Sequence, residues 1–282
     1  MRHPVTLALC LAGTFALTAC QQGISRAQAD KAVAEAAQID QSNLNEIMLS
    51  VSDPMEGVAY FKNALTVSPD NMEVKRGLAK SLVRAKLYVE AITIQNEILA
   101  SPEATDDDRI TMADVLIRSN EWAKAEAVLA TIPPTVETYE RYRLEALVAD
   151  SKQQWKKADS FYEIAVGLTQ KPQGVLNNWG FSKLTRGDAA SAEKLFIQAL
   201  TYDPTMFTAK NNLVLARAAQ RKYDLPVIDM TQEERAQLLY TAGLAAVKQG
   251  DVAQAKQLFQ EAIDTSPTHF EAAARSLKAL EG

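Results

Sequence analysis

The chain has 282 residues, 47% of them hydrophobic and 23% charged, a formal net charge of −5, two cysteines and two histidines. That balance is ordinary for a helical globular protein and excludes a disulfide-dense scaffold or a low-complexity chain. No lysine and arginine cluster of the kind that tracks phosphates occurs, which argues against nucleic acid as a ligand.

Residues 1–20, MRHPVTLALCLAGTFALTAC, open on the positive Arg2, run apolar from Val5 to Leu17 and close on small residues. This is the pattern of a secretory leader, and it is too short for a comfortable membrane span. Both cysteines, Cys10 and Cys20, lie inside it, so the folded part is expected to hold no disulfide and no thiolate metal site. No apolar run of 18 residues follows position 20, so the body is not expected to span a membrane. The closing Leu17-Thr18-Ala19-Cys20 resembles the lipobox of bacterial lipoproteins. The resemblance implies a signal peptide over 1–19 and acylation of Cys20; the polar residues that follow and the helix formers from about Ala27 predict a tether and leading helix over 20–37. An uncleaved inner-membrane anchor or a simple secretory signal is the alternative. Gln21 stands where an aspartate commonly marks inner-membrane retention in enteric bacteria, which favours the periplasmic face of the outer membrane. Loss of Arg2 with the leader takes the formal charge to about −6.

From Gln38 onward a single frame recurs. Asn177 to Pro204, NNWGFSKLTRGDAASAEKLFIQALTYDP, is its clearest copy. Small Gly180 and Ala192 permit two helices to cross closely, Phe196 fills the space beside them, Gly187-Asp188 makes the turn, and Pro204 ends the second helix. The same frame starts at Gln38, Met72, Asp106, Tyr139, Gln173, Phe207 and Ala236, in steps of 34, 34, 33, 34, 34 and 29 residues. This period and its small, A-x3-F and proline marks resemble the tetratricopeptide repeat. The resemblance implies an all-α fold over 38–282: a solenoid of about seven antiparallel helix pairs in a right-handed superhelix, with a C-terminal capping helix.

Ser52-Asp53-Pro54 predicts a turn with proline opening the next helix. Prolines at 69, 102, 133, 134, 172, 204 and 267 punctuate the later repeats. Tyr88, Trp122, Trp155 and Tyr223 share one position, the start of a second helix, where packing against the preceding pair is the expected role. The sixth repeat breaks the frame: Pro226 takes the place of the small helix-crossing residue, so its second helix is expected to be interrupted by an extended loop over 224–230, with Val227, Ile228 and Met230 on the flank. Thr231 and Glu234 then predict a capping box. Thr268 to Leu280 is expected to close the stack as an amphipathic helix burying Phe270, Ala273, Leu277 and Leu280.

Catalytic strings such as H-E-x-x-H, G-x-S-x-G or a phosphate-binding glycine loop do not occur. His3 lies in the leader and His269 stands alone. Asp106-Asp107-Asp108 lacks the glycine and distal glutamate of a calcium loop and sits at a helix start, where capping is the expected role. Neither catalysis, cofactor, metal nor small-molecule substrate is expected. What a repeat stack offers is a groove lined by its first helices. The positions facing it are Arg76, Lys80, Arg84, Asp114, Arg118, Arg143, Asn177, Phe181, Asn211 and Leu215. The first half of this set is basic, which suggests an acidic segment or a free carboxylate as occupant, with solvated basic side chains as the alternative.

The lipobox, the NNWGFSKLTRGD repeat, the broken sixth repeat and the ending MTQEERAQLLYTAGLAAVKQGDVAQAKQLFQEAIDTSPTHFEAAARSL together resemble the TadD lipoproteins of the tight-adherence (Flp) pilus assembly system. The resemblance covers nearly the whole chain. It implies an outer-membrane lipoprotein that supports assembly of the pilus secretin by binding protein partners, without turnover. An adaptor of another envelope system, such as a different pilotin or a regulator of outer-membrane or cell-wall assembly, is the alternative; an envelope enzyme is a third.

Overall fold

The computed structural model describes residues 44–50 and 53–281. The leader, Cys20 and the tether lie outside them. The chain divides into two compact parts, Met1–Asp53 and Pro54–Gly282. In the first, residues 44–50 are helical. Everything below concerns the second part.

It is all helix and turn among the described residues, with thirteen helices: α1 (Pro54–Val67), α2 (Met72–Arg84), α3 (Tyr88–Leu99), α4 (Asp106–Arg118), α5 (Trp122–Leu129), α6 (Tyr139–Ser151), α7 (Trp155–Gly167), α8 (Gln173–Thr185), α9 (Ala189–Tyr202), α10 (Phe207–Ala219), α11 (Gln232–Lys248), α12 (Val252–Thr265) and α13 (Glu271–Glu281). Consecutive helices pack as antiparallel pairs. The first helices of successive pairs, α4 with α6, α6 with α8 and α8 with α10, also touch one another. Five of them begin at the frame positions Met72, Asp106, Tyr139, Gln173 and Phe207. The fold is the stacked tetratricopeptide arrangement expected.

The core explains the period. Ala91, Ala125, Ala158, Ala192 and Ala255 hold one position on the second helices, and each is fully buried where the two helices of a pair cross. The residue opposite on the first helix co-adjusts with the filler of the second. Gly180 faces Phe196 and Gly243 faces Phe259, so closely that a Cβ on either glycine would stand 2.6 or 2.5 Å from the ring. Where alanine takes that place, at Ala79, Ala113 and Ala146, the filler is Gln95, Leu129 or Tyr162, each also buried. The buried Gln95 is satisfied by donating to the Asp108 carbonyl at 2.7 Å, as a polar side chain in a core must be.

Each turn between paired helices has one residue in the left-handed region: Lys86 (φ 60), Asn120 (65), Gln153 (57), Gly187 (85), Arg221 (60) and Gly250 (77). The next amide closes back five residues, for example Glu121 N to Leu116 O at 2.8 Å and Asp188 N to Lys183 O at 2.9 Å. This is the helix-ending motif that glycine favours. Four repeats make it without glycine.

The sixth repeat departs further from the frame than an interruption over 224–230. It has no second helix: residues 220–231 connect α10 to α11 directly. The left-handed turn at Arg221 still forms, but Pro226 removes an amide donor and biases Leu225 toward extended backbone. The connection nonetheless fills the core that a helix fills elsewhere. Met230, at the position of Phe196, packs in one cluster with Val214, at the position of Gly180, and Tyr223 and Leu225 join them. Ile228 packs on the α8–α10 cluster, so of the three residues expected on the flank only Val227 is fully exposed. Tyr223 opens no helix; its hydroxyl donates to Gln249 Oε1 at 3.0 Å. The capping box at Thr231 and Glu234 forms as expected, and Ala273, with Phe270, Leu277 and Leu280 beside it, seats α13 on the last pair.

Candidate docking groove

Positions four apart on a helix share a face, and the ten groove positions fall on one stripe of the first helices. The structure divides them into two characters. At the N-terminal end most of the arginines are ion-paired. Arg76 on α2 donates from Nε and Nη2 to the two carboxylate oxygens of Asp108, both at 2.8 Å, and to the Glu103 carbonyl at 2.9 Å. Lys80, one turn on, lines the same cavity of about 280 Å³ with Gln95 and Thr111. Asp114 accepts from Arg118 on its own helix at 2.6 Å and from Arg143 on α6 at 2.9 Å. Arg84 ends α2. Three of the arginines expected to make this end basic thus meet carboxylates, one repeat away for Arg76 and Arg143 and on the same helix for Arg118, with Arg118 and Arg143 sharing Asp114.

The aspartate run behaves as capping chemistry. Asp108 closes a box with Thr105, Asp106 pairs with Arg109 at 2.7 Å, and Asp108 is held below the usual carboxylate range because the Arg76 and Thr105 hydrogen bonds outweigh the effect of burial. Among the described residues no group of histidine, cysteine and acids is placed to hold a metal. His269 is exposed and meets Glu271 at 2.9 Å.

The C-terminal end of the stripe is apolar. Leu147, Phe181, Leu215 and Leu244 occupy one position on α6, α8, α10 and α11, and Phe181 and Leu244 are about half exposed, 51% and 45%. A cavity of about 470 Å³ opens beside them, walled by Trp122, Leu147, Trp155 and Phe181 and reaching Asp150, Asn177 and Ser182. Asn177 is turned inward: its Oδ1 accepts from Asn212 Nδ2 at 3.0 Å, tying α8 to α10. Asn211 accepts from Thr241 Oγ1 at 2.8 Å and ties α10 to α11. These two asparagines hold the first helices in register, and the exposed surface between them is aromatic and aliphatic. Sequence reasoning placed Asn177 and Phe181 here but missed Trp122, Leu147, Asp150 and Trp155. Trp122 packs on the core cluster of α4, α5 and α6, as expected of its position, whereas the Trp155 ring carries the Arg186 guanidinium at 5.5 Å from its centroid. Both rings also wall the groove.

Residues 49–108 and 236–269 each match a tetratricopeptide repeat family. The chain is built of tetratricopeptide repeats. Such repeats generally mediate protein–protein binding and are typically non-enzymatic scaffolds. Among solved structures, the chain superposes on one chain of the APC/C hetero-tetramer Cut9–Hcn1 with a TM-score of 0.62 at 14% identity, over 84% of this chain and 48% of that one. It spans about half of that relative's length. A tetratricopeptide repeat protein from Parabacteroides merdae gives 0.56 at 15% identity, over 85% and 97%. The C-terminal part of a repeat-containing protein from Cytophaga hutchinsonii gives 0.51 at 14%, over 83% and 98%. At these identities the likeness is one of fold. No curated protein sequence matches the chain. Among the described residues no helix is long and apolar enough to cross a membrane.

Proposed function

We propose that this chain is a non-enzymatic docking scaffold of the bacterial envelope, held by a lipid on Cys20 at the periplasmic face of the outer membrane, that binds protein components of a tight-adherence (Flp) pilus, its secretin foremost. The observation that carries the docking role is the row of Leu147, Phe181, Leu215 and Leu244, four apolar side chains at one position on adjoining first helices beside an aromatic-walled cavity. A repeat protein that keeps its core filled elsewhere has no structural use for a half-exposed phenylalanine there, whereas a partner segment that covers it gains the burial. The lipobox-like Leu17-Thr18-Ala19-Cys20 and the tail resemblance support the envelope and pilus parts. Three acyl chains hold far more firmly than one, each buried methylene contributing about 0.8 kcal/mol.

Two experiments test the two parts separately. Cys20→Ala is expected to move the protein from the membrane to the soluble periplasmic fraction with its helical circular dichroism unchanged. Retention in the membrane pellet removes the lipid anchor. Phe181→Asp is expected to abolish co-purification of the secretin from cells that make the pilus, again at unchanged helicity, because the side chain is half exposed and the fold does not lean on it. Undiminished co-purification removes this face as the docking surface.

A further inference from the structure

The groove ends on a carboxylate that no cation of its own walls contacts directly. Asp150, in the last turn of α6, accepts from Tyr162 Oη at 2.8 Å and from Ser182 Oγ at 2.7 Å. Both donors are neutral hydroxyls. The cations of the neighbouring helices pair with other acids, Lys183 and Arg186 with Asp159, Arg143 and Arg118 with Asp114, Lys152 with Glu126, and of these Arg186 also acts on Asp150 through its charge without touching it. Among the described residues Asp150 forms no ion pair. Burial pushes its carboxyl above the ordinary value, the opposite of Asp108 and Asp159, which have cations of their own. Trp122 and Trp155 wall the cavity that reaches it.

A desolvated carboxylate with two fixed hydroxyl donors and indole walls discriminates among occupants. An acidic group is repelled, and a purely apolar one covers the charge without compensating it. A cation gains a charge-assisted hydrogen bond, and its aliphatic stem gains cover from the indole walls. We propose that this groove takes a protein segment carrying a lysine or arginine flanked by apolar residues, the cation reaching Asp150 in the cavity walled by Trp122 and Trp155 and the apolar neighbours lying on Leu147 and Phe181. The proposal rests on the docking role above and specifies its partner. It reverses the acidic partner that the arginines of the first helices suggest in the sequence.

The test selects peptides from a random-sequence display library on the full mature protein and titrates one selected peptide. The selected set is expected to be enriched in lysine or arginine with apolar neighbours. Asp150→Asn keeps the side chain's shape and removes a charge that burial disfavours, so this variant is expected to unfold at no lower temperature than the parent. Its affinity for the peptide is expected to fall about ten-fold or more, the scale of a hydrogen bond to a charged group. Replacing the peptide's lysine by norleucine is expected to cost as much on the parent protein and nothing further on Asp150→Asn, the signature of direct coupling. The peptide-side change keeps the test valid whatever the variant does to folding. Selected peptides without a cation, or cationic peptides that bind both proteins equally, overturn the proposal, as does free spermidine binding through Asp150 where no cationic peptide does. If peptides bind through Phe181 without needing a cation, only this inference falls; if none bind, the docking role falls with it.

Discussion

Gly180→Ala is expected to destabilise the protein by about 1–3 kcal/mol, the usual cost of forcing a methyl into a filled core. The sign is informative because alanine is the better helix former by about 1 kcal/mol and an exposed glycine at this place would give the reverse result. The added Cβ would stand 2.6 Å from Cε1 of Phe196 and 2.9 Å from Cδ1, and Phe196 is fully buried. Phe196→Leu in the same chain is expected to recover much of the loss. The third repeat already uses that combination, with Ala113 opposite Leu129. Urea unfolding followed by circular dichroism measures all three proteins. The two changes are in contact, so their coupling is expected to lie between about 0.5 and 3 kcal/mol in the compensating direction. A Gly180→Ala protein as stable as the parent means that the helix pair opens to admit the methyl, and the argument linking the small residue to the size of its facing ring is then wrong.

That pair was legible because its determinants lie 16 residues apart within one repeat and recur. Small residues at the crossing and a ring or aliphatic filler beside them form a pattern visible without coordinates. The turns were legible only where glycine marks them, at Gly187 and Gly250. Lys86, Asn120, Gln153 and Arg221 take the same left-handed backbone because the closing amide-to-carbonyl bond enforces it, and a bond leaves no mark on residue type. The groove was half legible. Counting faces found Phe181 and Leu215, but a side chain's partner one repeat away is invisible to a count along one helix. Arg76 and Asp108 are 32 residues apart, Arg143 and Asp114 29, so cations were enumerated without the acids that pair with them. An acid on the matching face one period later was the available signal. Asp150 was missed for a related reason: its setting depends on Tyr162 and Ser182, 12 and 32 positions on. The sixth repeat was misjudged in degree. Proline forbids the helix, but the sequence does not reveal that Tyr223, Leu225 and Met230 fill the core from an irregular backbone.

Asp108→Ala is expected to cost about 2–4 kcal/mol, because one carboxylate serves two structural purposes at the joint between the second and third repeats. It caps α4 through the Thr105 amide and hydroxyl, both at 2.9 Å, and loss of a cap alone costs about 1 kcal/mol. It also receives both arms of Arg76 from the preceding repeat. The acid is 5% exposed and the guanidinium 33%, so the penalty for breaking this pair falls short of the roughly 3–5 kcal/mol of a fully buried one. Asp108→Asn keeps a cap acceptor and loses the charge, and is expected to fall between the two. The pH dependence has a definite sign. The folded carboxyl lies below its unfolded value, so its contribution is whole at neutral pH and drains away as the pH falls below about 4 through the folded value. The difference in unfolding free energy between parent and Asp108→Asn is therefore expected to shrink over that acid range. A repeat stack adds one further consequence. Its stability is a sum of repeats and the interfaces between neighbours, so weakening this joint is expected to speed amide hydrogen exchange in α1, α2 and α3 while leaving α11 and α12 at the parent rate. Uniform acceleration across all helices would mean that the stack unfolds as one cooperative body, and that Asp108 acts on the whole instead of on one seam.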